Sequence, residues 1–366
     1  MAERDLILYL MCADGIGPLT GMKILKRMTR FSQLRKALGT GGLRDLCSDR
    51  QLHALQAEKT GERQKRVLQR LKSGELTFHS YFDQNYPDIL RQISDPPLGL
   101  FVRGTLKEED EWALAVVGTR KRDVYGRESA ETFCRDCAAL GITVVSGLAR
   151  GIDTDAHRSV LKAGGRTLAV MGTPVDLIYP AENRDLAQDI IRQGALISEV
   201  PPRISSRAVN FVMRNRIIAG LSRAVLVVQA GEKSGALTTA YNAAEQNRDV
   251  FAVPGQIDHV RHRGCHSLIK QGAKLVETIE DILIELPMLQ QKGVQQLTLG
   301  RNSLDTMELD ESEMIVMEQL QDSARHVDDI QHSCGLAMSK ILSSLLNLEL
   351  KGFVKQYPGQ LYKRTV

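Results

Sequence analysis

Ala113-Leu-Ala-Val-Val-Gly118-Thr119-Arg120 is an apolar run that stops on a small residue and continues into a hydroxyl and a cation. The pattern returns in Val-Val-Ser146-Gly147, Ala-Val-Met-Gly172, Ile-Ser198, Val-Val-Gln-Ala230-Gly231 and Ala-Val-Pro-Gly255. Near-continuous Val/Ala/Leu runs alternating with helical periodicity mark parallel strands buried on both faces. The small residues then fall at the carboxyl ends of the strands, where open α/β sheets bind ligands. Glycine at such an end lets backbone N–H groups approach a phosphate. Arg120, Arg150, Arg184 and the pair Lys233-Ser234 follow these ends. The row reads as a site for a phosphorylated ligand.

Working outward, strands are expected at 113–118, 143–147, 167–172, 195–200, 224–229 and 250–253. Helices are expected between them at 126–140, 153–163, 183–192, 210–219 and up to 245. Six strands with intervening helices make one doubly wound α/β sheet. No G-x-G-x-x-G follows any strand, and Glu232-Lys233-Ser234 lacks the glycines of a P-loop, so hydride transfer and nucleoside triphosphate hydrolysis lose weight. Tyr86-Pro87 and Pro96-Pro97 hold residues 76–103 extended, as scaffold leading into the sheet.

Residues 1–75 read as a small helical domain of SAM or helix-hairpin-helix type. Its Gly15-Ile16-Gly17-Pro18 turn either holds a backbone phosphate or is simply a tight turn, with Lys23, Arg27 and Arg30 on one helical face. Residues 288–307 read as a polar linker. Residues 308–366 carry three helical stretches and a hairpin with Pro358-Gly359 at its tip, a winged-helix pattern. The stretch from Met338 to Leu350 is mostly apolar, so protein contact is at least as good a reading as base readout.

Charge sharpens this division. Residues 1–75 carry 15 Lys/Arg against 8 Asp/Glu, residues 76–300 carry 26 against 26, and residues 301–366 carry 7 against 10. A basic front is the electrostatic footprint of a chain that meets nucleic acid, and a solvated helical face gives the same count. The six cysteines are scattered, and Cys134-x-x-Cys137 lies inside a helical pattern with no second pair, so buried thiols are expected rather than a zinc or redox site. No apolar run approaches the ~20 residues that span a bilayer, and the start lacks a signal-peptide core, so no membrane contact and a cytoplasmic location are expected.

Asp153 and His157 stand at i, i+4 and could form a metal or acid/base pair, but with no third ligand or nucleophile in view structural capping is preferred. Met213-Arg214-Asn215-Arg216 offers several directed donors to phosphate oxygens, the alternative for one arginine being a structural carboxylate partner. With Arg120, Lys121, Arg122, Arg150, Arg184, Arg207 and Lys233, the collective reading is a polyanion groove poor in aromatics for base stacking.

Taken together, Val-Val-Gly-Thr-Arg120, Ser146-Gly-Leu-Ala-Arg-Gly-Ile-Asp-Thr-Asp-Ala-His157, Met-Gly172-Thr-Pro-Val-Asp-Leu-Ile-Tyr-Pro180, Arg214-Asn-Arg-Ile-Ile-Ala-Gly220 and Ser234-Gly-Ala-Leu-Thr-Thr resemble the DNA-processing protein A (DprA/Smf) family. Tyr86-Pro-Asp-Ile-Leu and Asp95-Pro-Pro belong to the same likeness, which runs from about Tyr81 to Val276. It implies an extended Rossmann-like domain over 76–287 that binds single-stranded DNA, forms a homodimer and hands strands to RecA recombinase in natural transformation. Family DNA contacts fall on Arg120, Ser146, Gly147, Arg214, Asn215 and Lys233. The strand-end reading adds Gly118, Arg150, Gly172, Arg184, Arg216 and Ser234. Family members place a basic residue where this chain has Ala181, and Arg184 stands one turn on as its replacement. Self-association is expected through Leu268, Ile269, Leu275 and Val276. No catalytic residue, metal or cofactor is expected. The alternative is a nucleotide-processing enzyme of the lysine-decarboxylase-like phosphoribohydrolase type, whose paired-Gly, Glu-containing loop this chain lacks after Gly231.

Overall fold

The computed structural model describes residues 4–204, 208–286, 289, 310–320, 325–350, 353–357 and 359–364. The expected linker 288–307 lies largely outside these residues, as do Arg207 and Pro358. The chain divides into two compact units, Met1–Leu297 and Thr298–Val366.

The first unit is organised by a sheet with spatial order β1-β2-β6-β5-β4-β3-β7-β8-β9. The expected parallel strands are β3 (Leu114–Gly118), β4 (Val144–Ser146), β5 (Thr167–Val170), β6 (Ala195–Ser198), β7 (Ala224–Gln229) and β8 (Asp249–Ala252). The sheet is wider than the six strands expected. β1 (Thr77–Ser80) and β2 (Gly99–Gly104) come from the stretch read as extended scaffold, and β2 runs antiparallel to β6. A two-residue β9 (Lys274–Leu275) closes the other edge.

Alternation along each strand explains the two covered faces. Leu114 and Val116 of β3, with Ala224, Leu226 and Val228 of β7, pack on α7 (Val124–Ala139) and α8 (Ile152–Lys162). Ala115, Val117, Val225 and Val227 face the opposite layer of α11 (Asn215–Gly220), α12 (Gly235–Glu245) and α13 (Arg263–Lys270). Burial of each such Val or Leu contributes about 1.5–3 kcal/mol, so register is fixed on both sides. Cys134 and Cys137 are fully buried in the first layer, and burial pushes both thiols up, as expected of inert core thiols.

Five helices precede the sheet: α1 (Arg4–Cys12), α2 (Pro18–Arg27), α3 (Phe31–Thr40), α4 (Asp49–Gln56) and α5 (Glu58–Lys72). Their core residues Leu6, Leu10, Ile24, Leu34 and Leu55 share one cluster with Phe78, Phe101, Met171 and Leu196 of the sheet region. Residue 75 is therefore no break in packing. The stretch expected as one helix over 210–219 is two, α10 (Ala208–Met213) and α11, interrupted at Arg214. Short α6 (Asp88–Arg91), α9 (Arg184–Gln193) and α14 (Ile279–Glu285) complete the unit. No helix among the described residues is long and apolar enough to cross a membrane.

The second unit has α15 (Glu311–Gln319), α16 (Val327–Cys334) and α17 (Met338–Leu350) with strands β10 (Arg325–His326), β11 (Val354–Tyr357) and β12 (Leu361–Arg364). Val316, Ile330, Ile341, Leu345 and Tyr362 form its core. This is the winged-helix arrangement expected, with the turn at Gly359 and Gln360 in left-handed backbone.

Gly151 links this fold to its ligand face. It has φ 78° and ψ −131°, and a Cβ there would stand 2.3 Å from the Thr119 carbonyl oxygen. Gly164, with φ 75°, faces open space. Gly151→Ala should lower stability by about 1–3 kcal/mol from backbone strain alone, with the clash added. Gly164→Ala carries the strain without the clash. Denaturant midpoints should therefore fall further for the first, and equal losses would contradict the role given to Gly151.

Candidate nucleic-acid interface

Strand order reverses between β3 and β7, the crevice where a doubly wound sheet binds its ligand. A cavity of about 480 Å³ opens there, lined by Gly118, Arg120, Lys121, Asp153, Phe211, Arg214, Asn215, Lys233 and Ser234 among others. Arg120, Lys121 and Lys233 are exposed on its rim, and among the described residues none of the three has an ion-pair partner. Ser234 caps α12, its Oγ accepting from the Ala236 N–H at 3.3 Å.

The floor is a buried polar network. Asp153 accepts from the Gly147 N–H at 3.2 Å and the Ala149 N–H at 3.4 Å. Thr167 Oγ1 donates to the Val144 carbonyl at 2.7 Å, so His157 Nδ1 must donate to Thr167 Oγ1, also at 2.7 Å. His157 Nε2 is then free to accept from the Leu148 N–H at 3.3 Å. Only the neutral ring fits this pattern. Burial pushes His157 down from 6.5 to about 3, aided by nearby Arg214. The structural reading of Asp153 and His157 holds, with one change: both hold the 147–149 loop instead of pairing with each other.

Several expected phosphate contacts are corrected by burial. Arg214 is 5% exposed, and its Nη1 donates to the Gly147 carbonyl at 2.6 Å and to the Val170 carbonyl. Burial lowers it to about 10 against the pull of Asp153 and with the push of Arg120, while burial raises Asp153. It is the cation beneath the cavity, not a donor reaching into solvent. Arg216 pairs with Glu199 at 2.5 Å and Asp95 at 3.1 Å, which makes it the structural arginine of the pair. The Ser146 Oγ is buried and donates to the Val116 carbonyl at 2.7 Å. Asn215 donates to the Gly235 carbonyl at 3.2 Å and still lines the cavity.

The strand-end glycines are also explained differently. A Cβ at Gly147 would meet Arg214 Nη1 at 2.2 Å, one at Gly172 the Phe211 ring at 2.8 Å, and one at Gly118 the Ile152 side chain at 2.5 Å. These positions make room for side chains of the protein, and Gly118 also lines the cavity. Arg150 lies exposed in a bidentate pair with Glu182, at 2.5 and 2.9 Å, and Arg122 is held by Asp155 at 2.6 Å. Arg184 is exposed at the start of α9.

Sequence reasoning missed the apolar wall. Phe211 lines the cavity, and its ring meets the half-exposed Tyr179 edge-on at 5.5 Å. Elsewhere, the Gly15–Pro18 turn lines a second cavity of about 350 Å³ with Arg63, Glu199 and Met213. In the expected self-association segment, Leu268 and Val276 are core residues at 4% and 0% exposure, while Ile269 is half-buried and Leu275 exposed.

A family model described as DNA recombination-mediator protein A matches residues 77–287, and one described as the DprA winged helix domain matches residues 303–360. Protein Smf of Escherichia coli K12 is 40% identical over 279 residues, covering 75% of this chain and 74% of that protein. The X-ray structure of DNA processing protein A from Streptococcus pneumoniae aligns with a TM-score of 0.65 at 35% identity, over 78% of this chain and 99% of that one. That of DNA processing protein A from Helicobacter pylori, solved for its single-stranded DNA binding mode, aligns with a TM-score of 0.53 at 27% identity, over 58% and 96%.

The His157 network carries a pH signature. The unfolded chain takes up a proton on this ring below about pH 6.5 while the folded chain refuses it down to about 3, so His157 lowers stability as pH falls through that window. The advantage of the wild-type chain over His157→Asn should be largest above pH 6.5 and shrink toward pH 3 in denaturant melts. An advantage that grows as pH falls would mean the ring is charged in the fold.

Proposed function

The chain belongs to the DNA recombination-mediator protein A family, and from that premise we propose that it binds single-stranded DNA along the β3/β7 crevice. The strand would then pass to RecA recombinase, the step the family likeness implies. The observation that carries this reading is the trio Arg120, Lys121 and Lys233, exposed and without carboxylate partners among the described residues, around an apolar wall at the switch point. Exposed cations supply sequence-independent phosphate contact, and Phe211 with Tyr179 supplies a face on which a base can stack. A duplex keeps its bases stacked inside and cannot use that face.

Hydrolysis of a nucleotide is the weaker reading. Asp153, the carboxylate in the cavity floor, is already committed to two backbone N–H groups and stands over a buried guanidinium. The chain acts, in this account, as a binder and not an enzyme. A two-fold contact through Ile269 and the edge residue Leu275 would place two crevices on one strand and raise avidity without new contact types. In the winged-helix unit, Leu342 and Leu346 are exposed at i, i+4 on α17, which favours a protein partner there.

Fluorescence anisotropy with labelled oligonucleotides tests the proposal. Affinity for single strands should exceed that for blunt duplex and fall with salt, the slope of log K against log[salt] being about −0.7 per phosphate neutralised. Arg120→Ala should cost roughly tenfold, a charge-assisted contact being worth about 1.5–3 kcal/mol, with the fold intact. Equal affinity for duplex and single strand, or unchanged binding by a folded Arg120→Ala chain, would refute it.

A further inference from the structure

Outside the crevice, the end of β7 and the loop after β8 bring a second group of side chains together. Asp123 caps α7 through one carboxylate oxygen, Oδ1, which accepts from the Gly126 N–H at 2.9 Å. Its other oxygen, Oδ2, accepts from Gln229 Nε2 at 2.8 Å and lies 3.8 Å from His259 Nε2. Gln229 Nε2 also stands 3.1 Å from His262 Nε2. An amide nitrogen only donates, so His262 Nε2 presents its lone pair to Gln229 Nε2, the same nitrogen that donates to Asp123. One ligand atom from each of Asp123, His259 and His262 lies within 4.8 Å of the others.

Packing alone gives little reason for two imidazoles here. His262 is 3% exposed, and the Nδ1 atoms of both His259 and His262 are buried with no hydrogen-bond partner among the described residues. The rings are 5.3 Å apart, and the seat of His262 exists only because position 255 is glycine: a Cβ there would lie 2.1 Å from His262 Nδ1. A buried His262 and a half-buried His259, gathered beside a carboxylate, fit the donor set that first-row divalent ions choose.

We propose that Asp123, His259 and His262 form a divalent transition-metal site that takes Zn²⁺, or Co²⁺ and Ni²⁺ in its place. Bonds of about 2.0–2.1 Å in tetrahedral geometry place ligand atoms about 3.4 Å apart, close to the 3.8 Å between His259 Nε2 and Asp123 Oδ2. The remaining contraction falls on the turn carrying His259, where Ile257 and Val260 are 89% and 61% exposed. The side chains of Asp123 and His259 are 24% and 35% exposed, which leaves an entry path and room for water as a fourth ligand. Arg261, 3.6 Å from the same carboxylate oxygen and 44% exposed, swings away as the ion enters. The ion takes over the His262 lone pair now shared with Gln229. Bound there, it pins the loop after β8 to the first turn of α7, directly after the basic loop 119–122.

The test uses the full-length chain with any affinity tag removed, titrated with Co²⁺ alone. The expected result is a saturable visible d–d absorption of one ion per chain, bleached by Zn²⁺, and a raised melting temperature with either ion. His259→Ala should weaken binding at least tenfold. Asp123→Asn, which keeps the cap on α7 but gives up the Gln229 contact, should do the same, with its metal-free melt measured alongside. Absence of saturable binding up to millimolar Co²⁺, binding unchanged in both variants, or an intense near-ultraviolet sulfur-to-cobalt band placing the ion on cysteine would each overturn the proposal.

Discussion

One buried guanidinium organises the ligand face. Arg214 bonds the carbonyls at the carboxyl ends of β4 and β5 and faces Asp153, which gathers the N–H groups of the loop after β4. Taking such a charge out of water costs several kcal/mol unless geometry and partners repay it. Two carbonyls and the nearby Asp153 charge offset part of that cost here, and only a chain with glycine at 147 admits the group. The loop after β4, the interruption between α10 and α11, and the position of Phe211 all follow from where this side chain sits. Its positive charge also lies under the cavity, where little water screens it, and draws an anion toward the rim cations.

The rim and the floor divide the work. Arg120, Lys121 and Lys233 are exposed, solvated cations suited to a phosphate backbone of any sequence, whereas Arg214, Asp153 and His157 are held in burial and set the shape on which the rim stands. The floor spends most of its polar atoms on the protein itself, with Arg214 Nε left without a hydrogen-bond partner among the described residues.

Much of the fold was legible because buried parallel strands write themselves as Val/Ala runs, and all six such runs are strands of the sheet. The added strands β1, β2 and β9 were not, since β1 and β2 flank a proline-interrupted stretch that reads as extended scaffold and β9 is only two residues long. The site was half legible. Arg120, Lys121 and Lys233 were found because cations after strand ends are exposed by position. Arg214, Arg216 and Ser146 look identical to them in sequence, and only tertiary packing, with Glu199 and Asp95 for Arg216 and the Gly147 notch for Arg214, removes them from the surface. Phe211 was hidden in an apolar helix where a core residue is the ordinary reading. Asp123 follows β3 while His259 and His262 follow β8, and they meet only because the ends of those two strands flank that of β7.

The central claim is that the strand lies in the β3/β7 crevice, and photocross-linking tests it most directly. Oligo(dT) carrying single 5-iododeoxyuridines, irradiated on the full chain and mapped by peptide mass spectrometry, should mark the segments around 118–121, 177–180, 208–215 and 231–239, with Phe211 and Tyr179 foremost. Adducts confined to the N-terminal helices or the winged-helix unit, with none in those segments, would contradict the account.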